Sequence, residues 1–347
     1  MKIEESHVIE ADNEDPPTFK KKDFMSDQQI RWCPGCGDYS ILSQVQTVLA
    51  DLGKPPHEVA MISGIGCSSR FPYYMNTYGF HTIHGRAPAF TSAVKCVNPD
   101  LSVWMITGDG DGLSIGGNHT AHLLRRNLNI VAMLFNNRIY GLTKGQYSPT
   151  SEVGKKTKSS PMGSLDAPFV PLKFALGARG SFIARSVDVF AKHLRETLAK
   201  AEAHQGTGFV EIYQNCNIFN DGAFAGFTER KLRDEHVLYL EHGQPMTFGS
   251  EEAPKGVILE NLRPKVVDLG ERYAAADCIV HDEYNSMLAG MLVEMDYPDF
   301  PVPLGVLYRE DRTPYDQAFN AQLQAAKDSK DADLTKLLAG RRTWVVK

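Results

Sequence analysis

Hydrophobic positions along the middle of the chain follow two patterns, one typical of amphipathic helices and one typical of buried strands. From Asp38 onwards, apolar residues return on one helical face until Gly53, a residue type that often ends a helix. Further helices are predicted at 88–97, 114–127 and 187–204. Continuous apolar runs predict strands at 58–64, 101–108, 129–136, 181–186 and 207–214. Because such strands, separated by helices, form parallel sheets covered on both faces, the sequence predicts a doubly wound, mostly parallel α/β fold.

The two ends of the chain lack this regular alternation. Residues 1–28 are polar and include a run of lysines, so they predict an exposed N-terminal arm. Residues 29–220 are expected to form the main domain, and residues 221–347 a C-terminal extension that contacts other subunits. Within this extension, short strands are predicted at 278–284 and 302–308, and a charged helix or pair of helices at 316–340.

One internal segment, residues 137–168, is rich in Gly, Ser, Thr, Lys and Pro and has no apolar period. A connection of this length is unusual in a compact domain unless it serves a function. We therefore expect the segment to line a site.

The composition excludes several classes of protein. The chain has 347 residues, of which 42% are hydrophobic, and a formal net charge of -5, so no overall basic field attracts nucleic acid or an anionic membrane. It has no apolar run of the roughly 18 residues that a membrane span requires, and its start lacks the apolar core of a secretory signal, so we expect a cytoplasmic protein. Six cysteines are too few for a disulfide scaffold, and in a reducing compartment they are expected to bind metal, act in catalysis or lie buried.

A glycine-rich acidic loop, Gly108 to Gly112, directly follows a predicted strand and precedes a predicted helix. Parallel α/β folds bind ligands at this end of their strands, where glycines let backbone N–H groups approach phosphate and a carboxylate can hold Mg²⁺. Asn137 follows the next predicted strand, so Asp109 and Asn137 are expected to face one ion. The loop lacks the glycine spacing of dinucleotide-binding and P-loop motifs, and a plain strand-to-helix turn is the alternative.

Four of the cysteines form a candidate metal site. Cys33 and Cys36 make a C-x-x-C motif, while Cys67 and Cys216 each follow a predicted strand at the edge that carries the glycine-rich loop. Four thiolates suit a [4Fe-4S] cluster. A thioredoxin-type redox pair lacks the preceding apolar strand, and a zinc site lacks a second close pair of ligands, but both are alternatives. The other two cysteines, Cys96 and Cys278, are expected to be structural.

The segment from Gly108 to Ser151, GDGDGLSIGGNHTAHLLRRNLNIVAMLFNNRIYGLTKGQYSPTS, resembles the β subunit of the 2-oxoacid:ferredoxin oxidoreductase family. This subunit carries the thiamine diphosphate-binding, pyrophosphate-type domain of these enzymes. The stretch GLTKGQYSPTS and the form of GIGCSSR (64–70) most resemble the members that act on 2-oxoglutarate. The resemblance is strong from Cys33 to about Asn220 and weak from 280 to 320.

The resemblance implies a set of cofactor ligands. Asp109 and Asn137 would supply side-chain oxygens to Mg²⁺, and Ile139 a backbone carbonyl. Thiamine diphosphate would be contacted by residues of four loops: Ile65, Gly66, Cys67, Ser68, His84, Gly108, Asp109, Gly110, Asp111, Asn137, Ile139, Gly141 and Leu142. The [4Fe-4S] cluster would be held by Cys33, Cys36, Cys67 and Cys216.

Three residues, Arg70, Lys144 and His84, are expected to act near the reacting carbon of thiamine diphosphate. Arg70 and Lys144 can each hold a substrate carboxylate, although an exposed cation without function is the alternative for both. His84 resembles the family histidine close to the cofactor, where an imidazole can stabilise charge or move a proton, and a plain loop histidine is the alternative.

The family resemblance also implies the reaction and the partners. A 2-oxo acid, coenzyme A and oxidised ferredoxin would give acyl-coenzyme A, CO2 and reduced ferredoxin. An α subunit would supply the glutamate that contacts the aminopyrimidine ring of the cofactor, in an assembly with two copies of each subunit. Pyruvate or a branched 2-oxo acid is an alternative substrate, because pocket differences of one methylene change binding by only about 1–3 kcal/mol. A non-redox thiamine enzyme and a non-catalytic metal-binding module are alternative functions.

Overall fold

The protein is described here from a computed structural model, which covers residues 18–329, 333–341 and 343–344. Its strands, in chain order, are β1 (Val59–Ser63), β2 (Tyr78–His81), β3 (Ser102–Gly108), β4 (Ile130–Asn136), β5 (Phe182–Val187), β6 (Thr207–Tyr213), β7 (Val237–Tyr239), β8 (Thr247–Gly249), β9 (Pro254–Glu260), β10 (Arg263–Asp268) and β11 (Val302–Arg309). Eight of them form one sheet in the order β2-β1-β3-β4-β6-β5-β11-β7. Neighbouring strands are parallel except β5 and β11, which run antiparallel. The predicted fold class, a mostly parallel α/β sheet, is confirmed.

Helices cover both faces of this sheet. They are α1 (Asp38–Asp51), α2 (Ala87–Val97), α3 (Gly117–Arg126), α4 (Pro171–Gly177), α5 (Ala191–Ala203), α6 (Ala225–Thr228), α7 (Arg233–His236), α8 (Ser286–Leu292), α9 (Tyr315–Asp328) and α10 (Leu334–Ala339). Short 3-10 turns occupy Lys21–Phe24, Pro56–Glu58, Ser68–Tyr74 and Ala275–Asp277, and a π-helical turn occupies Asp111–Ile115. No helix among the described residues is both long enough and apolar enough to span a membrane.

The central strands are buried on both faces because their neighbouring side chains belong to different layers. Trp104 and Ile106 of β3 pack with the layer that contains α1 and α5, whereas Val103 and Met105 pack with the layer that contains α2, α3 and α4. This alternation follows from the two-residue period of a strand. Both faces therefore need apolar residues, which explains the continuous hydrophobic runs in the sequence.

The N-terminal segment differs from its prediction. Residues 1–17 of the predicted arm lie outside the described residues. Within 18–28 most side chains are exposed, as predicted, but the segment is anchored to the domain, because Phe24 is fully buried in the core and Met25 forms an isolated bridge with Met75. One buried aromatic beside a lysine run produces no apolar period, so the pattern could not indicate this anchor.

Two strands of the C-terminal third, β7 and β11, belong to the main sheet. β11 pairs with β5, and β7 pairs with β11, so the structure does not divide at the predicted boundary of residue 220. The strand predicted at 302–308 is confirmed. The strand predicted at 278–284 is wrong, because this segment forms only an isolated bridge between Val280 and Pro245. The predicted pair of C-terminal helices is present as α9 and α10. That the segment contacts other subunits stays a prediction.

Candidate active site

The glycine-rich acidic loop lies where β3 ends, and its first carboxylate is held in a buried polar pocket. Asp109 is 3% exposed, and its Oδ2 accepts hydrogen bonds from Ser148 Oγ at 2.5 Å and Thr150 Oγ1 at 2.6 Å. Burial raises the pKa of Asp109, and the two hydroxyl donors work against that rise. Both donors come from the loop 137–168, which therefore lines this site as expected.

Asp111 contacts protein groups that hold three loops together. Its Oδ1 accepts from Ile65 N at 3.1 Å and Gly85 N at 2.7 Å and contacts His84 Nδ1 at 2.6 Å. Its Oδ2 accepts from Thr107 Oγ1 at 2.7 Å. Because both oxygens are engaged, the carboxylate fixes the loops after β1 and before α2 against the start of the π-helical turn.

His84 takes its orientation from that contact. Its imidazole forms an ion pair with Asp111 when protonated, and its ring meets the Tyr140 ring edge-on at a centroid distance of 6.5 Å. Tyr140 in turn donates to the Gly110 carbonyl at 3.0 Å. The predicted site residue His84 therefore lies at the same sheet edge as the glycine-rich loop.

Asn137 belongs to a hydrogen-bonded group at the end of β4. Its Nδ2 donates to Gln214 Oε1 at 2.9 Å, its Oδ1 accepts from Ile139 N at 3.1 Å, and its carbonyl accepts from Asn220 Nδ2 at 2.8 Å. Asp109 and Asn137 follow neighbouring parallel strands whose register pairs Gly108 with Phe135. The two predicted metal ligands thus lie at one edge, but no hydrogen bond joins them within the described residues.

A chain of buried polar groups extends from Asp109 instead to the neighbouring residue, Asn136. Thr150 Oγ1 lies 3.0 Å from Asn136 Oδ1, and Asn136 Nδ2 donates to Glu211 Oε1 at 2.8 Å. Glu211 completes a fully buried ion pair with Arg185 Nε at 2.7 Å. These contacts connect the loop 137–168 to the strands β4, β6 and β5. Because the residues come from one loop and three strands that are far apart in the sequence, no sequence motif could indicate them.

The four candidate cysteines line one cavity of about 210 Å³. Its wall also includes Gly141, where an added Cβ would lie 3.4 Å from Cys67 Sγ and 3.6 Å from Cys216 Sγ. A side chain at position 141 would therefore fill space between two of the thiols. All six cysteines are free, and neither Cys96 nor Cys278 lines this cavity.

Burial makes two of these thiols, Cys36 and Cys67, reluctant to ionise in the protein alone. It raises the pKa of Cys67 to about 12 and raises the pKa of Cys36 further, with the Asp38 carboxylate and the neighbouring thiols adding to both rises. Asp38 is itself buried, and that burial raises its pKa to about 7. Metal binding deprotonates a thiol, so these buried side chains would be held as thiolates by bound iron.

Within the described part of the chain, these side chains do not form a site for a single metal ion. No three His, Cys, Asp or Glu side chains within 18–329, 333–341 and 343–344 converge closely enough to hold a single metal ion. Zinc requires thiolate sulfurs at about 2.3 Å from one centre. In a [4Fe-4S] cluster each thiolate binds a different iron atom, so the thiolates stand further apart. The residues before Cys33 contain no strand over 18–32, unlike the thioredoxin-type arrangement.

Cationic side chains also line the cavity that contains the four thiols. Arg70 and Lys144, both predicted, line the four-cysteine cavity together with Arg31, which sequence reasoning missed. A neighbouring groove of about 500 Å³ shares Arg31, Arg70 and Leu142 and is also lined by the predicted residues Ile65 and Gly66. Arg31 precedes Trp32, whose indole N–H donates to the Cys67 carbonyl at 2.6 Å, so its position next to the C-x-x-C motif was the available signal.

Comparison with known proteins identifies the family. Residues 64–212 match the family described as "Thiamine pyrophosphate enzyme, C-terminal TPP binding domain". The chain is 49% identical over 334 residues to 2-oxoglutarate oxidoreductase subunit KorB of Mycobacterium tuberculosis, covering 94% of this chain and 88% of that protein. It is 36% identical over 253 residues to the β subunit of 2-oxoacid:ferredoxin oxidoreductase 2 of Aeropyrum pernix, covering 72% of this chain and 80% of that protein.

A solved structure supports the same assignment. It is described as 2-oxoglutarate:ferredoxin oxidoreductase from Magnetococcus marinus with 2-oxoglutarate, coenzyme A and succinyl-CoA bound. It aligns with a TM-score of 0.74 and 31% identity over 94% of this chain and 97% of that chain. The chain therefore belongs to the family of 2-oxoacid:ferredoxin oxidoreductase β subunits, which are thiamine diphosphate-dependent enzymes.

Proposed function

We propose that this chain is the β subunit of an enzyme that converts 2-oxoglutarate and coenzyme A to succinyl-coenzyme A and CO2, with two electrons passing singly through a [4Fe-4S] cluster to ferredoxin. One observation carries the proposal: the four cysteines line a cavity whose wall includes Asn137, at the same sheet edge as Asp109. The choice of 2-oxoglutarate rests on the names of the Mycobacterium tuberculosis and Magnetococcus marinus relatives.

The oxygen donors at this edge fit a magnesium ion with a diphosphate. Asp109, the amide oxygen of Asn137 and the backbone carbonyl of Ile139 are hard ligands of the kind that Mg²⁺ prefers. The loops at 65–68, 108–111 and 141–142 would lie along the cofactor. Bound thiamine diphosphate supplies the nucleophilic carbon and the electron sink for loss of CO2 from a 2-oxo acid.

The protein's own residues would bind and orient the substrate. The cations Arg31, Arg70 and Lys144 line one cavity, and a dicarboxylic 2-oxo acid has two negative groups for them to hold. His84, oriented by Asp111, would hold or move a proton beside the cofactor. The four thiolates would hold the cluster, which accepts electrons one at a time.

Partners complete the site. The relatives are named as β or KorB subunits, and that naming implies an α subunit. We infer that the α subunit supplies the glutamate for the aminopyrimidine ring, that two copies of each subunit assemble in the cytoplasm, and that ferredoxin accepts the electrons. The described residues form one main sheet, which corresponds to one of the two domains that such a cofactor requires.

The test is iron content together with turnover. The chain, co-expressed with its α partner and purified without oxygen, is expected to contain about four irons per β subunit. Cys33→Ala is expected to lose most of this iron. Cys96→Ala, a matched change of a free cysteine outside the cavity, should retain it. An active, iron-free wild-type enzyme would instead favour the non-redox thiamine reaction.

Substrate choice requires a separate assay. The intact enzyme is incubated with coenzyme A, an oxidised acceptor and 2-oxoglutarate, pyruvate or a branched 2-oxo acid in parallel. We expect the highest kcat/KM with 2-oxoglutarate and a rise in its KM in Arg70→Met, because that change removes a carboxylate-binding cation. Preference for pyruvate would contradict the assignment without affecting the cluster.

A further inference from the structure

We propose that Gln214 is a positioning residue that links the cluster ligand Cys36 to the magnesium ligand Asn137 and fixes which end of the Asn137 amide faces the metal. The inference rests on the proposed function, because it assigns a role toward the cluster and the magnesium ion. Gln214 directly follows the end of β6 and is 1% exposed, so its side chain is shielded from water and its amide must bond to protein groups.

The orientation of the Gln214 amide is determined by its neighbours. Its Nε2 donates to the Asn215 carbonyl at 2.5 Å and to Cys36 Sγ at 3.3 Å. The Asn215 carbonyl oxygen accepts hydrogen bonds and cannot donate them, so the amide nitrogen must be on this side. The oxygen of Gln214 consequently faces the opposite direction, towards Asn137.

This oxygen then determines the orientation of Asn137. Gln214 Oε1 accepts from Asn137 Nδ2 at 2.9 Å, which leaves Asn137 Oδ1 on the other side, where it accepts from Ile139 N. An Asn amide can be reversed at little steric cost, and a reversed amide would present N–H groups to a cation. Gln214 and the Ile139 N–H both oppose that reversal, and together they would keep an oxygen available for Mg²⁺.

The same side chain acts on the cluster. An N–H···S hydrogen bond stabilises the additional negative charge of a reduced cluster and so raises its reduction potential. One buried amide therefore influences both the electron acceptor and the cofactor site. Partners of metal ligands typically change metal affinity by about 10–100-fold when they are removed.

Two substitutions of Gln214 separate its effect on the cluster potential from its effect on Asn137. Gln214→Met removes the donor to Cys36 and the acceptor for Asn137, whereas Gln214→Glu retains an oxygen for Asn137 and removes the donor. We expect both variants to lower the midpoint potential of the cluster in a spectroscopic redox titration. Only Gln214→Met should weaken Mg²⁺-dependent binding of thiamine diphosphate, by about tenfold, in calorimetry of the purified complex.

A rescue distinguishes orientation from damage. Asn137→Asp presents an oxygen in either rotamer, so in the Gln214→Met background it should recover cofactor affinity while the potential stays low. The control is Gln46→Met, which removes another buried glutamine whose amide donates to the Tyr74 carbonyl. This control should change neither property.

The outcomes are distinct. The inference is overturned if Gln214→Met shifts the potential and the affinity no more than Gln46→Met does, or if Gln214→Glu weakens cofactor binding as much as Gln214→Met. A wild-type complex without iron would overturn the proposed cluster and, with it, this role of Gln214. A wild-type complex with iron and unresponsive Gln214 variants would overturn only the role of Gln214.

Discussion

Asp109 and Asp111 stand two positions apart and have different environments. Oδ2 of Asp109 accepts from two side-chain hydroxyls, whereas Asp111 uses both oxygens to bind the backbone and side chains of neighbouring loops. The first arrangement leaves an oxygen available for a cation. The second arrangement stabilises the loops themselves.

This difference predicts opposite effects of the same substitution. Asp109→Asn should abolish Mg²⁺-dependent binding of thiamine diphosphate while the apoprotein unfolds at an unchanged or higher urea concentration, because a buried charge is removed. Asp111→Asn should lower the free energy of unfolding by at least about 1.5–3 kcal/mol, because it replaces charge-assisted hydrogen bonds with weaker ones. Urea unfolding without cofactor and calorimetry with cofactor measure the two properties. Equal destabilisation by both changes would contradict the distinction.

The sequence located most of the candidate residues but not their supporting contacts. Asp109, Asn137, Cys67 and Cys216 could be predicted because each follows a strand end, and strand ends of a parallel sheet share one edge. Cys33 and Cys36 could be predicted from their C-x-x-C spacing. The roles predicted for them are still predictions. Thr150 and Gln214 could not be predicted, because their partners lie far along the chain and depend on the path of a loop.

At the scale of elements, the loop before α2 and the π-helical turn after β3 approach each other closely at the sheet edge that carries the glycine-rich loop. An added Cβ at Gly85 would lie 2.5 Å from Gly116 N, and one at Gly116 would lie 2.4 Å from the Asp111 carbonyl. Gly85 also has a φ of +68°, which favours glycine. The loop before α2 can therefore press against the π-helical turn only while both positions lack side chains.

Adjacent glycines provide a matched test of this contact. Gly116→Ala should destabilise the protein by about 1–3 kcal/mol or more and weaken binding of thiamine diphosphate, because backbone atoms block the new methyl group. Gly117→Ala meets no atom within 4 Å and lies at the first position of α3, so it should be neutral or stabilising by up to about 1 kcal/mol. Thermal unfolding measures the stability of both variants. A similar loss of stability in the two would contradict the predicted clash at Gly116.

Sequence pattern predicted the buried elements better than the exposed ones. The parallel strands from β1 to β6 were predicted from continuous apolar runs, except β2, which is exposed along its whole length and so has no hydrophobic signal. The antiparallel sheet of β8, β9 and β10 was also missed, because its burial is only partial. The direction of β11 depends on tertiary pairing with β5, which a local pattern does not contain.

At the scale of the whole molecule, buried histidines make stability depend on pH. Burial lowers the pKa of His204 to about 4 and that of His193 to about 4, and each ring contacts a serine hydroxyl at 2.8 Å. The unfolded chain binds these protons near pH 6.5, whereas the folded chain does not until about pH 4. Stability is therefore expected to fall as the pH decreases from about 6.5 to about 4.

Replacement of one histidine tests this expectation. His204→Gln keeps a polar group for Ser181 but cannot titrate, so the loss of stability between about pH 7 and about pH 5 should be smaller than in the wild type. The exposed His57 provides the control, since His57→Gln should leave the dependence unchanged. Urea unfolding of the apoprotein at the two pH values measures it. An equally steep loss in His204→Gln would show that other groups cause the effect.

The family resemblance, carried by residues 108–151, is confirmed by relatives that cover 94% of this chain. The resemblance was visible because the cofactor loop and its following strand are contiguous in sequence. The placement of the C-terminal third was not visible in the sequence, because β11 pairs with β5, which lies far from it along the chain.

That late strand has a consequence for synthesis of the protein. While the ribosome is still translating the segment after β6, the outer edge of β5 has no partner, and it obtains one only when residues 302–309 emerge. An unpaired edge on a hydrophobic sheet is a site for association with other nascent chains. Premature termination before residue 302 would therefore yield an aggregation-prone polypeptide. The last part of the coding sequence is needed to complete a sheet whose other central strands are encoded in the first two thirds.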